Sequence, residues 1–170
     1  IPKPLLPIGD RPIIDILLTQ LSACGFTSAT ISRGYMAPLF RAFVGDGTQW
    51  GLDVEFVVEN EPLGTAGALR LARNLPDHFL VVNGDTLTDL DFGDMLRNHG
   101  TAGAVASIFC AGIEDYVDYG VVEFDADGSL LAYNEKPTHQ YHVSTGVYAL
   151  SKSILRYDPQ QGRLDMPTLF

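Results

Sequence analysis

Asp85 closes the apolar run Phe79-Leu80-Val81-Val82 and follows Asn83-Gly84. A carboxylate at a strand end, beside a glycine that lets a ligand approach the backbone, suits Mg²⁺. That ion takes hard oxygen ligands and completes its shell with substrate phosphates and water. Taken alone, an aspartate capping the next turn explains the pattern equally well. Asp89-Leu90-Asp91 also has the form of a DxD metal motif, but aspartate ahead of a helix is commonly an N-cap. Lys3 stands in Pro2-Lys3-Pro4, where flanking prolines stiffen the backbone and hold the base of a phosphate-binding ammonium still. An isolated Lys-Pro is ordinarily a solvated lysine.

The octet Glu61-Pro62-Leu63-Gly64-Thr65-Ala66-Gly67-Ala68 is more specific. A Pro-x-Gly turn enters a helix through small residues, against which a flat nucleobase can pack while backbone amides and carbonyls read its edge. Each glycine alone is compatible with a tightly packed helix start. Glu135-Lys136-Pro137 sets a carboxylate beside an ammonium, a pair able to hold a sugar hydroxyl and a phosphate of one ligand. As a bare triplet it reads as an exposed turn. Gly146, in Thr145-Gly146-Val147-Tyr148, leaves room for a sugar ring. His139 and His142 have no further ligand near them in sequence and are expected in a solvated loop.

These residues need a scaffold, and the periodicity supplies one. Ile13, Ile14, Leu17, Leu18 and Leu21 recur at helical spacing up to Gly25; Leu39, Phe40, Phe43 and Val44 do so up to the Gly45-Asp46-Gly47 turn. Strands are expected over 29–32, 52–58, 79–82, 104–109 and 147–150, with small helices from Thr65 and Phe92. Segments 119–124 and 129–134 flank Asp125-Ala126-Asp127-Gly128 as a β-hairpin. Alternating βα units followed by a hairpin predict an α/β fold, a three-layer α/β/α sandwich with a mostly parallel mixed sheet of Rossmann-like type. Ligands of open α/β sheets lie beyond the carboxyl ends of the strands, which again points to Asp85.

Composition narrows the partners. The 170 residues suffice for one domain, and 46% hydrophobic with 19% charged residues argues against disorder. A net charge of −10 argues against nucleic-acid and membrane surfaces, which need clustered Lys and Arg. Small phosphate ligands stay compatible, because a few lysines and a cation make a local positive site. No apolar run reaches the ~18 residues of a membrane span, and no leader pattern opens the chain. Cys24 and Cys110 form no CxxC pair and sit among apolar residues. Two buried thiols in a cytoplasmic protein are expected.

In order, Pro-Lys-Pro-Leu-Leu-Pro-Ile-Gly, Glu-Pro-Leu-Gly-Thr-Ala-Gly-Ala, Val-Asn-Gly-Asp, Asp-Tyr-Gly-Val-Val, Glu-Lys-Pro and Thr-Gly-Val-Tyr resemble the sugar-1-phosphate nucleotidyltransferase family. The resemblance runs from Pro2 to Phe170 and is nearest to the mannose-1-phosphate guanylyltransferase branch, which the closing Asp165-Met166-Pro167-Thr168-Leu169-Phe170 also resembles. It implies that Lys3 touches the triphosphate, that Glu59, Gly64 and Thr65 bind the nucleotide, and that Asp85 binds Mg²⁺. It implies equally that Gly120, Glu135, Lys136 and Thr145 line the sugar phosphate, with Lys3, Asp85 and Lys136 as the catalytic set.

The implied reaction is attack of a sugar 1-phosphate oxygen on the α-phosphorus of an NTP, with pyrophosphate leaving. The family's opening strand and G-G-x-G-T-R-L loop would precede Ile1, and its second metal-binding aspartate would follow Phe170. The resemblance thus implies that residues 1–170 are a catalytic domain truncated at both ends, inactive alone. A homo-oligomer stays open. So do two other readings: a nucleotide-sugar-dependent glycosyltransferase using Asp89 and Asp91, and a non-catalytic regulatory homologue. On base choice, the two acceptor oxygens of Glu59 match the adjacent N1–H and N2–H donors of guanine, so GTP is the expected nucleotide. The sequence does not name the sugar: mannose, glucose and heptose 1-phosphates all fit.

Overall fold

A computed structural model describes residues 1–33, 37–59 and 61–170. Helix α1 (Ile13–Ala23) buries Ile13, Ile14, Leu17 and Leu18, the stripe that its spacing implies, and ends at Gly25 in a left-handed conformation. Strand β3 (Ser28–Arg33) pairs in parallel with β4 (Asp53–Val58), joined through α2 (Ala37–Val44), which packs on β4. Ahead of α1, a short antiparallel pair, β1 (Pro7–Ile8) and β2 (Arg11–Pro12), closes the turn at Gly9 and Asp10. Helix α3 (Gly64–Gly67) tightens at once into a 3₁₀ turn, Ala68–Leu71.

Strand β5 (His78–Val82) leads to α4 (Phe92–Ala102), which packs back on it. Asp91 is the N-cap of α4, its carboxylate accepting from Asp94 N–H at 2.8 Å. The DxD pattern is therefore a helix start. A three-stranded sheet has the order β5, β9 (Thr138–Ser151), β6 (Ala106–Tyr116), with β5 and β9 antiparallel. The expected hairpin is β7 (Val121–Phe124) with β8 (Leu130–Asn134). The architecture is α/β with mixed pairing, as expected from the alternation of elements.

Two strands are longer than their apolar runs. β9 extends back from 147 to Thr138, and β6 forward from 109 to Tyr116. The extensions are exposed on both faces, so no hydrophobic periodicity marks them. His139 and His142 consequently lie on a strand rather than in a loop. Three residues apart, they project from opposite faces and cannot share a ligand. Alternation on β6 turns Cys110 outward beside Ile108 and Gly112. Cys24 is half-buried and Cys110 exposed, neither in a disulfide, so the expectation of two buried thiols fails on the period-2 geometry of β6.

The chain forms two compact units: residues 1–108 with 146–170, and residues 109–145. In the first, Ala66, Phe79, Tyr148, Leu150, Ile154, Leu164, Met166 and Leu169 form one buried cluster. It ties α3 and the closing helix α5 (Met166–Leu169) to the β5–β9 sheet. Arg70 reinforces this closure. Its guanidinium donates to the nearly buried Asp158 carboxylate and to Gly162 O, and holds Asp158 below the usual carboxylate range. No helix among the described residues is long and apolar enough to cross a membrane.

His99 lies in the last turn of α4 with 2% of its surface exposed. Its Nδ1 is 2.8 Å from Ser107 Oγ and its Nε2 is 3.1 Å from Ser151 Oγ. Ser151 gives its one hydroxyl proton to Ala104 O, so it accepts from His99 Nε2–H, and Ser107 donates to Nδ1. The neutral ring is thus fully satisfied. Burial, and then the nearby His78, push His99 below the ordinary imidazole range. The unfolded chain takes the proton first, so this contribution to stability is complete above pH ~6.5 and is lost as pH falls below that value. Thermal unfolding should show a midpoint that declines from pH 7 to 5, and a shallower decline in His99→Gln. Equal slopes would exclude His99 as the cause.

Candidate active site

Asp85 sits in a turn at the carboxyl end of β5. Thr86 N–H donates to Asn83 O at 3.0 Å, closing the turn, and Asn83 N–H donates to Gly146 O on β9 at 2.9 Å. The turn is thus fastened to the strand that pairs with β5. The Asp85 side chain is exposed and makes no hydrogen bond or ion pair among the described residues. No group of three or more His, Cys, Asp or Glu among those residues could hold a metal by itself. A single unengaged carboxylate fits Mg²⁺ arriving with a nucleotide's phosphates, since the ion is commonly held by one or two carboxylates and substrate oxygens.

Lys3 lies in the 3₁₀ turn Lys3–Leu5, which packs on α1 and is anchored by the buried Pro4. Its ammonium is exposed and has no partner among the described residues. The stiff backbone and free head that Pro-Lys-Pro implies are both present.

The nucleotide-related residues are held from two sides. Glu59 accepts from Ser32 Oγ at 2.8 Å through one oxygen and from Leu63 N–H at 2.9 Å through the other. Its carboxylate is thereby oriented, and each oxygen retains a second lone pair. Gly64 has φ +83°, and any Cβ there would collide with Leu164 O and lie 2.8 Å from Asp165 Oδ1. Thr65 donates its N–H to Asp165 Oδ1 at 3.1 Å, and its Oγ1 accepts from Met166 N–H at 2.8 Å, which leaves the hydroxyl proton to donate. Ala66 and Gly67 N–H both donate to Leu164 O at 3.0 Å. The amides expected to read a base edge are therefore occupied by the closing segment.

In the second unit, three expected sugar-phosphate residues converge at the open end of the hairpin. Glu135 Oε2 accepts from Tyr133 OH at 3.1 Å. The Tyr133 ring end crosses Gly120, so that a Cβ at 120 would collide with it. Lys136 has φ +47°, an uncommon region for a residue with a side chain. Its N–H donates to Tyr119 O at 3.2 Å, and its Nζ lies 2.7 Å from Asp118 Oδ1. That pair is 51% and 66% exposed, so solvent screens it and an arriving phosphate can displace Asp118. Thr145 differs: it is partly buried, and its hydroxyl donates to Phe109 O at 2.9 Å. Gly146 differs too. The space above it is filled by the Asn83 side chain rather than left for a sugar ring.

Sequence reasoning missed Ser32, Asp118, Tyr133 and Asp165 as anchors. Tyr133 carried a signal, because two residues before Glu135 on a strand places both side chains on one face. The other three act across turns or long separations that local pattern does not encode.

The profile of the nucleotidyl transferase family matches residues 1–165. A UTP–glucose-1-phosphate uridylyltransferase of Synechocystis is 28% identical over 98% of this chain and 48% of its own length. A mannose-1-phosphate guanylyltransferase of Mycobacterium tuberculosis is 32% identical over 94% of this chain and 45% of its own. The chain thus spans about half the length of these curated relatives. HddC from Yersinia pseudotuberculosis, solved with GMP-PN, superposes with TM-score 0.71 at 27% identity, covering 97% of this chain and 73% of that one. With a family profile spanning nearly all of it and the order of its motifs accounted for, the chain belongs to the nucleotidyl transferase family, among the sugar-1-phosphate nucleotidyltransferases.

Proposed function

We propose that the whole protein transfers a nucleoside monophosphate from an NTP to a sugar 1-phosphate, with GTP and mannose 1-phosphate as the preferred pair. The observation that carries this reading is Asp85: an exposed carboxylate without a partner among the described residues, mounted on a tied turn at a strand's carboxyl end. Relatives of both uridylyl and guanylyl type support the reaction class, and the Yersinia structure with GMP-PN supports a nucleotide ligand. Cys24 and Cys110, which form no disulfide, suit a cytoplasmic setting.

In this scheme an oxygen of the sugar 1-phosphate bonds to the α-phosphorus, and the bond from that phosphorus to the β-phosphate bridging oxygen breaks. Pyrophosphate leaves with the electron pair. Positioning and charge neutralisation carry such transfers, without a protein nucleophile. Lys3 contacts the triphosphate. Lys136 exchanges Asp118 for the sugar phosphate, and Glu135 accepts a sugar hydroxyl. Mg²⁺ bound at Asp85 would supply further charge neutralisation. Glu59, oriented by Ser32 and Leu63, accepts the two guanine donors.

Pyrophosphate release from the whole protein, measured across GTP, UTP and dTTP with mannose, glucose and heptose 1-phosphates, tests the proposal. GTP should lead, and Glu59→Gln should cut its advantage by about tenfold, the scale of one hydrogen bond to a charged group. An unchanged base ranking removes the role of Glu59. No pyrophosphate from any pair leaves the regulatory reading, and release only of free nucleoside diphosphate from a nucleotide sugar leaves the glycosyltransferase.

A further inference from the structure

Helix α3 has four residues, Gly64–Gly67, and Leu63 gives it no side-chain cap. So short a helix does not sustain itself, since nucleation is unfavourable and its first amides have no intrahelical acceptors. Here the acceptors come from about a hundred residues away. Asp165 takes Thr65 N–H, and Leu164 O takes Ala66 and Gly67 N–H. The exchange runs both ways: Leu164 N–H donates to Leu63 O at 2.7 Å, and Met166 N–H to Thr65 Oγ1. Leu164, Met166 and Leu169 are buried with Ala66, so the cap is anchored in the core. Arg163 Nε, 3.1 Å from Asp165 Oδ2, steadies the carboxylate.

We propose that Asp165 is a positioning residue for the nucleotide: it caps α3 from the closing segment and fixes the turn that Glu59 holds at its other end. The proposal rests on the assignment of that turn to the nucleotide. It also gives Asp165-Met166-Pro167 a purpose that sugar-phosphate chemistry does not require. Two acidic side chains, Glu59 on Leu63 N–H and Asp165 on Thr65 N–H, bracket Gly64. Fixed at both ends, the turn presents Glu59 and the Gly64 backbone in one arrangement. Asp165 is assigned no ligand contact: Oδ1 accepts from Thr65 N–H and Oδ2 from Arg163 Nε, so its carboxylate is oriented onto the turn.

The test compares Asp165→Ala and Asp165→Asn in the whole protein. GTP binding is measured by calorimetry without sugar phosphate, alongside KM for each substrate and kcat. Asp165→Ala should raise the Kd and KM for GTP roughly tenfold, the scale of a lost helix cap. The sugar 1-phosphate KM and kcat should stay within about twofold of the parent. Asp165→Asn keeps an acceptor for Thr65 N–H and should restore GTP binding to within about threefold.

Should Asp165→Ala not fold, Asp165→Ser provides a shorter acceptor, and a Kd between parent and tenfold-weakened is expected. A parent-like GTP Kd in the Ala or Ser variant overturns the proposal. So does an equal rise of both KM values, which marks a merely structural residue. If the parent binds none of GTP, UTP or dTTP, the nucleotide reading of the turn fails and this proposal with it. That outcome is distinct from a binding parent whose variants bind equally well.

Discussion

Asp85→Asn in the whole protein is expected to lower Mg²⁺-dependent pyrophosphate formation by about 10²–10³-fold, the scale of losing one preorganised charge-stabilising group, while the fold stays intact. The two halves of this expectation come from separate observations. The side chain is exposed and bonds to nothing among the described residues, so the fold does not use it. The turn beneath it is fixed through Asn83 to both Thr86 and Gly146, so an isosteric amide occupies the same place without the charge. An amide oxygen is a weaker ligand for a hard dication than a carboxylate. Activity titrated against Mg²⁺, with thermal unfolding alongside, reads both halves. Turnover retained at saturating Mg²⁺ would remove Asp85 as the metal ligand. Loss of activity with a lowered unfolding midpoint would make it structural instead.

Gly64→Ala should destabilise the protein by about 2–4 kcal/mol, from two sources. A φ of +83° costs a residue with a Cβ about 1–3 kcal/mol. The added methyl also meets Leu164 O, a backbone atom held by Ala66 and Gly67 N–H, and Asp165 Oδ1 at 2.8 Å. Neither can withdraw without breaking the cap on α3, and the buried Leu164, Met166 and Leu169 would move with them. Denaturant unfolding checks the magnitude. A change under about 0.5 kcal/mol, the range of an ordinary surface substitution, would show that the closing segment is not seated on the turn.

Much of the fold was legible because the controlling interactions are local. The stripe of Ile13, Ile14, Leu17 and Leu18 is buried in one helix, and Asp125-Ala126-Asp127-Gly128 joins the two strands of the hairpin as its turn chemistry implies. Strand lengths were less legible. The outer parts of β6 and β9 bury little, so their extended form rests on ladder pairing that leaves no mark in side-chain pattern. Solvent-facing alternation likewise moved Cys110 outward, although its neighbours in sequence are apolar.

The candidate site divides along the same line. Residue order already sets out the chemical groups on offer: a carboxylate after an apolar strand at Asp85, an ammonium between prolines at Lys3, a carboxylate and an ammonium side by side at 135 and 136. How those groups are engaged depends on long-range packing. The Thr65 amide looked available to a nucleotide but goes to Asp165, while its exposed hydroxyl accepts from Met166 N–H and keeps its proton to donate; Gly146 looked like open space but holds Asn83. Lys136 acquired Asp118 as its resting partner, and Glu135 acquired Tyr133. A residue's type sets the bonds it can make. Which bond it makes depends on what the folded chain brings within about 3 Å of it, and for Thr65 the partner stands a hundred residues away.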